Sequence, residues 1–142
     1  MRKVLTVGTF DLLHSGHIQL FRNCRNIAGI DGEVVVGINS DEFVLKYKKV
    51  NPVMPYKERQ AVISQLKDVS AVVKNDSSNL TSMLKTISPN FLVVGSDWAK
   101  KDYFSQIGVD LEWLYKNNIL LLYTEYTSNI SSSLIKNNIN LN

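Results

Sequence analysis

The sequence predicts an α/β protein of Rossmann-like, three-layer α/β/α architecture on a mostly parallel five-stranded sheet. Three observations predict it. Short apolar runs rich in β-branched or aliphatic residues recur at positions 4–7, 33–38, 69–73, 91–94 and 119–123. Segments with helical spacing of apolar residues separate them. The runs are mostly apolar rather than alternating, as in strands covered on both faces, and strand–helix–strand units of this length join parallel neighbours.

The first strand, 4–7, ends at Gly8, and a helix over 16–28 follows, with Leu20, Phe21, Cys24, Ile27 and Ala28 on one face. Gly32 opens the second strand, completing a βαβ unit with a right-handed crossover. Positions 39–47 read as a loop and short helix, and 48–55 as a loop bearing lysine and proline. A helix over 56–66 is expected to bury Val62, Ile63 and Leu66. The third strand is followed by a helix over 79–87, stopped by Ser88-Pro89. The fourth strand ends at Gly95. An irregular or helical stretch runs to Asn118, and a last helix starts at Ser131 after the fifth strand. No linker or repeat divides the 142 residues, so one domain is expected over 1–142.

Composition narrows the function classes. The chain is 44% hydrophobic and 20% charged, as ordinary globular proteins are. No apolar run reaches the roughly 18 residues of a membrane span, so no membrane partner is expected. Met1-Arg2-Lys3 leads at once into a strand, and the single Cys24 suits a reducing compartment, which together point to the cytoplasm. Net charge is +3 with a pI near 9.0. The concentrated positive charge is short, at Lys46, Lys48 and Lys49, which fits a small anionic ligand and not a nucleic-acid polymer.

The densest chemistry lies in Gly8-Thr9-Phe10-Asp11-Leu12-Leu13-His14-Ser15-Gly16-His17. It holds both histidines of the chain, at the mouth of the first strand and the start of a helix. A helix start offers N–H groups and partial positive charge to phosphate. Gly16 allows close approach of a ligand to the backbone. Two imidazoles there can donate to oxygens that gain charge during phosphoryl transfer. The bland alternatives are a metal site, which lacks a third His or a Cys cluster, and plain helix capping.

The pattern Gly-Thr-Phe-Asp-x-x-His-x-Gly-His resembles the signature of the cytidylyltransferase superfamily of nucleotidyltransferases. More of the chain is similar to the glycerol-3-phosphate cytidylyltransferase family: Asn39-Ser40-Asp41-Glu42-Phe43, Tyr56-Lys57-Glu58-Arg59, Gly95-Ser96-Asp97-Trp98 and Ile130-Ser131-Ser132-Ser133, in the same order. The resemblance implies transfer of CMP from CTP to a phosphorylated small acceptor, glycerol 3-phosphate first, with release of pyrophosphate. It also implies a homodimer, and Mg2+ arriving with the nucleotide rather than on protein ligands. His14, His17, Lys46 and Lys48 become catalytic candidates, and Lys46, Lys48 and Arg59 acceptor contacts. Gly8, Thr9, Phe10, Asp11, Gly16, Asp97, Thr127, Ser131, Ser132 and Ser133 become nucleotide contacts.

Each of these has a plainer reading. Arg59 can lay its stem along the core edge, Trp98 can cap the sheet, and Asp11 can either turn its loop or orient site groups and a metal-bound water. One serine of 131–133 can be a helix cap. Two positions depart from the cytidylyltransferase pattern, which places an arginine and a glycine where Tyr126 and Asn129 stand. The run 130–136 also resembles the C-terminal motif of phosphopantetheine adenylyltransferase, so an ATP-using adenylyltransferase is the alternative. A catalytically silent nucleotide-binding module is the rival of another class. A tRNA synthetase relative is discounted because the chain is too short for an anticodon-reading part.

Overall fold

A computed structural model of the chain describes residues 1–95, 107–125 and 132–141. Five strands are present: β1 (Lys3–Gly8), β2 (Glu33–Asn39), β3 (Ala71–Asn75), β4 (Phe91–Gly95) and β5 (Leu120–Thr124). They form one sheet in the order β3-β2-β1-β4-β5, and every pairing is parallel. The described helices are α1 (Ser15–Ala28), α2 (Asp41–Lys48), α3 (Tyr56–Ile63), α4 (Thr81–Ile87), α5 (Leu111–Lys116) and α6 (Ser132–Leu141). The expected fold class is the one observed, with the sheet parallel throughout.

The side-chain alternation of each strand splits the core into two layers. Val4, Val34, Val36, Ile38 and Val93 face Phe21, Cys24 and Ala28 of α1 and Ile63 of α3. Leu5, Val35, Leu92 and Val94 face the other way, onto Leu84 of α4 and Leu114 of α5. Register fixes this division, since Val4 pairs with Val34 and Leu5 with Val35 across β1 and β2. A slip of one residue would turn every one of these side chains to the wrong layer.

The chain leaves β1 toward β2 and β3, then returns to place β4 on the opposite side of β1. The carboxyl end of β1 is therefore the topological switch point, where ligands of open parallel sheets bind. The loop that carries both histidines starts there.

Three expectations are corrected. Val62 is 40% exposed, whereas Arg59 and Ile63, four residues apart, are the buried pair of α3. That helix ends at Ile63, not at Leu66, because Leu66 and Val69 are held by turn bonds to Ile63 and Leu66 carbonyls. β3 accordingly begins at Ala71 rather than Val69.

Candidate active site

Gly8 ends β1 with its backbone pressed on the Phe10 ring: a Cβ there would lie 2.9 Å from Phe10 Cζ. Phe10 turns back under the loop in a left-handed conformation (φ 54°), as does Leu12 (φ 49°). Its ring is buried against Phe21 and meets the His17 ring edge-on, with centroids 5.5 Å apart. The Phe10 side chain is thus floor, not the nucleotide contact expected; its ring supports His17 from below.

His14 is the N-cap of α1, and Nδ1 of its ring accepts from the Gly16 N–H at 3.0 Å. His17, in the first turn, accepts from the His14 N–H at its own Nδ1, at 3.2 Å. The rings lie stacked, with centroids 3.8 Å apart and planes 23° from parallel. Capping is therefore real, but it does not exhaust the rings. With each Nδ1 accepting, the proton of a neutral imidazole sits on Nε2. Neither Nε2 has a hydrogen-bond partner among the described residues. Burial lowers the pKa of both rings, and for His17 the neighbouring His14 adds to it, bringing that ring down to about 4. Both are neutral donors near pH 7. Of the N–H groups at this helix start, that of Gly16 is taken by His14.

Asp11 is 5% exposed. Its Oδ2 accepts from the Val53 N–H at 2.7 Å and meets Lys136 Nζ at 3.1 Å, while Oδ1 accepts from the Met54 N–H at 2.9 Å. Burial alone would raise its pKa, but these partners outweigh burial and the net shift is downward. Of the two roles open to it, the carboxylate fills that of loop anchor, joining the histidine loop to residues 53–54 and to α6. Oxygens engaged in this way fit poorly with an orienting role toward a metal-bound water. Among the described residues no group of three or more His, Cys, Asp or Glu is arranged to hold a metal ion.

Arg59 is corrected as well. Its side chain is buried, donating to the main-chain carbonyls of Thr9, Asn39 and Met54 and pairing with Asp41 at 2.6 Å. A guanidinium so enclosed is not an acceptor contact. Thr9 Oγ1 accepts from Asn39 Nδ2 at 3.1 Å and lies 3.3 Å from the Tyr47 hydroxyl. That contact brings the last turn of α2 beside the histidine loop. Lys48 Nζ sits 5.6 Å from the Tyr47 ring centroid, while Lys46 is exposed on the same turn, its carbonyl accepting from Lys49.

Asp97, Thr127 and Ser131 lie outside the described residues, as do the side chains of Ser132 and Ser133, although both serines belong to the first turn of α6. Sequence reading missed Asn39, Tyr47 and Lys136 as members of the site. Lys136 had a signal: it follows Ser132 by four and Ser133 by three, so one helical face carries all three.

The fold that carries these two imidazoles has known counterparts. Residues 5–138 match the cytidylyltransferase-like family, to which the chain belongs as a nucleotidyltransferase. It is 37% identical over 106 residues to an FAD synthase of Korarchaeum cryptofilum, covering 74% of this chain and 71% of that protein. It is 30% identical over 138 residues to the bifunctional protein HldE of Cronobacter sakazakii, covering 94% of this chain but 28% of the other. A lipopolysaccharide core biosynthesis protein of Thermoplasma volcanium shares the fold, with a TM-score of 0.65 at 20% identity over 89% of this chain and 99% of that one. No described helix is long and apolar enough to cross a membrane.

Proposed function

We propose that residues 1–142 act as one nucleotidyltransferase domain that moves AMP, in preference to CMP, from a nucleoside triphosphate to a phosphorylated small molecule. The observation that carries the transfer chemistry is the pair of Nε2–H groups, on two capped imidazoles, that no described residue engages. A phosphate oxygen of the acceptor attacks the α-phosphorus in line; the new O–P bond forms as the bond to the β-phosphate oxygen breaks, and pyrophosphate leaves. The nucleophile is already anionic, so no general base is needed, and positioning and electrostatics supply the rate. His14 and His17 donate to the α- and β-phosphate oxygens. Lys48 and Lys46, beside the loop through Tyr47, hold the acceptor and the departing pyrophosphate. Ser131, Ser132 and Ser133 cradle the outer phosphates. Magnesium, when bound, neutralises phosphate charge; it is carried by the triphosphate and water, consistent with the engaged oxygens of Asp11.

Two features support adenylate. The relative at 37% identity is named for making FAD, half of which is an AMP unit. Tyr126 and Asn129 also replace the arginine and glycine of the cytidylyltransferase C-terminal pattern. The second reading, CMP transfer to glycerol 3-phosphate, rests on the four shorter motifs in matching order. A pyrophosphate-release panel separates them, crossing four triphosphates with glycerol 3-phosphate, sugar phosphates and FMN. Turnover is expected with ATP. CTP turnover would move the base assignment to the second reading, and silence across the panel would leave a nucleotide-binding module.

A further inference from the structure

Arg59 carries a charge into a place where its side chain has no exposed surface, and its ionic partner Asp41 is one-third exposed. Buried ion pairs contribute little over a well-packed apolar replacement, so stability alone is a weak reason for a cation here. Its hydrogen bonds give a stronger one. Nη1 donates to Thr9 O at 2.7 Å and Asn39 O at 2.8 Å, and Nε to Met54 O at 2.9 Å. These carbonyls lie just past β1, at the end of β2, and in the loop that anchors Asp11.

Thr9 is held a second time. Asn39 Nδ2 donates to its hydroxyl, and Asn75 Nδ2 donates to Asn39 Oδ1 at 2.9 Å, which fixes the orientation of the Asn39 amide. Asn39 and Asn75 are both buried. One polar network therefore ties the carboxyl ends of β1, β2 and β3 to a single threonine. That threonine starts the loop in which Phe10 and Leu12 hold left-handed conformations, a backbone that bulky residues avoid and that persists only where surroundings over-determine it.

We propose that Arg59 and Asn39 are positioning residues for nucleotidyl transfer: by gripping Thr9 at its carbonyl and its hydroxyl, they set where the histidine loop leaves β1. Neither touches substrate. Their effect reaches the reaction through the placement of His14 and His17.

The test compares Arg59→Lys, Asn39→Ala and Asn39→Asp in the full chain. In Asn39→Asp the Thr9 hydroxyl can rotate to donate to the new carboxylate, restoring the contact that Asn39→Ala removes. One readout is pyrophosphate release with the most active pair from the panel above. The other is the 15N imidazole spectrum of the unliganded protein, which needs no substrate. Arg59→Lys and Asn39→Ala are expected to lower kcat about tenfold or more while the triphosphate KM moves less than about threefold, and Asn39→Asp to recover most of the loss. The spectrum of Asn39→Ala should lose the fixed Nε2–H tautomers of the two rings. Unchanged kcat and unchanged imidazole signals in folded Asn39→Ala would overturn the proposal, as would a raised KM with kcat intact. If Arg59→Lys does not fold, the two Asn39 variants decide. If no pair turns over, the spectra still decide, and the functional reading fails separately.

Discussion

The His14 main-chain N–H donates to Nδ1 of His17 at 3.2 Å, so the second histidine of the motif caps the backbone of the first. One nitrogen of His17 is structural and the other is available for chemistry. His17→Asn separates these jobs, because the asparagine oxygen can still accept from His14 while nothing replaces Nε2–H. The expected result is a kcat loss of about 100-fold or more, with a melting temperature within a few degrees of the parent. His17→Ala should lose the cap as well, a further cost of about 1 kcal/mol. Parallel kinetics and thermal melts check both, and wild-type turnover in a folded His17→Asn would remove His17 from the mechanism.

The same bonds fix the pH behaviour. Protonating either Nδ1 would turn it toward a backbone donor, so the capped form must stay neutral. His17 has its pKa depressed by burial and by His14, to about 4, against an ordinary value of 6.5. Between those values the unfolded chain binds a proton that the folded chain does not, so stability falls as pH drops from 6.5 toward 4 and is fully present above 6.5. The difference is on the order of 3 kcal/mol. Asp11, its pKa held low, loses its contribution only further down, as pH falls below 3.8 through its folded value. Urea titrations at pH 7 and 4.5 should show the first loss, and His17→Asn should flatten it. The kcat profile should carry no acid limb near 6.5.

Gly8 gives a test of the loop floor. A methyl group at this position would stand 2.9 Å from Phe10 Cζ, and the Phe10 ring in turn meets His17. Gly8→Ala should therefore cost about 1–3 kcal/mol through overpacking, and it should reduce kcat beyond what the fraction unfolded explains. A variant that melts like the parent and turns over normally would show that the ring can retreat without carrying His17.

Much of this was legible in the chain. β1 and β2 declared themselves through Val4 and Val7, and through Val34, Val35 and Val36, because a strand covered on both faces needs apolar residues at every position. The histidine loop was legible because its spacing is local. Arg59 was not: what draws a cation inward is a set of carbonyls at Thr9, Asn39 and Met54, and two of these are 50 and 20 residues distant. With the inner position of α3 taken by Arg59 and Ile63, Val62 is left outside, although periodicity alone cannot choose between adjacent apolar residues. Asn39 read as the start of a loop, and only the sheet order places its amide against Thr9.

Lys136 offers the last prediction, because it links the end of the chain to the first loop. Its ammonium lies 3.1 Å from Asp11 Oδ2, a nearly buried carboxylate that also holds residues 53 and 54. Lys136→Met keeps the apolar stem that lies along α6 but removes the charge, leaving Asp11 with less compensation in a site of low exposure. The cost should be about 1–3 kcal/mol at pH 7, read as a lower urea midpoint, with the Asp11 pKa rising toward the ordinary carboxylate value. Because Ser132 and Ser133 ride on the same helix start, the triphosphate KM should rise too. Lys136→Arg then decides between the two sources of the loss. If the charge pair is responsible, the arginine keeps a cation within reach of Asp11 and regains most of the stability that Lys136→Met loses; if α6 docks through its apolar face alone, Lys136→Met itself keeps the parent's urea midpoint.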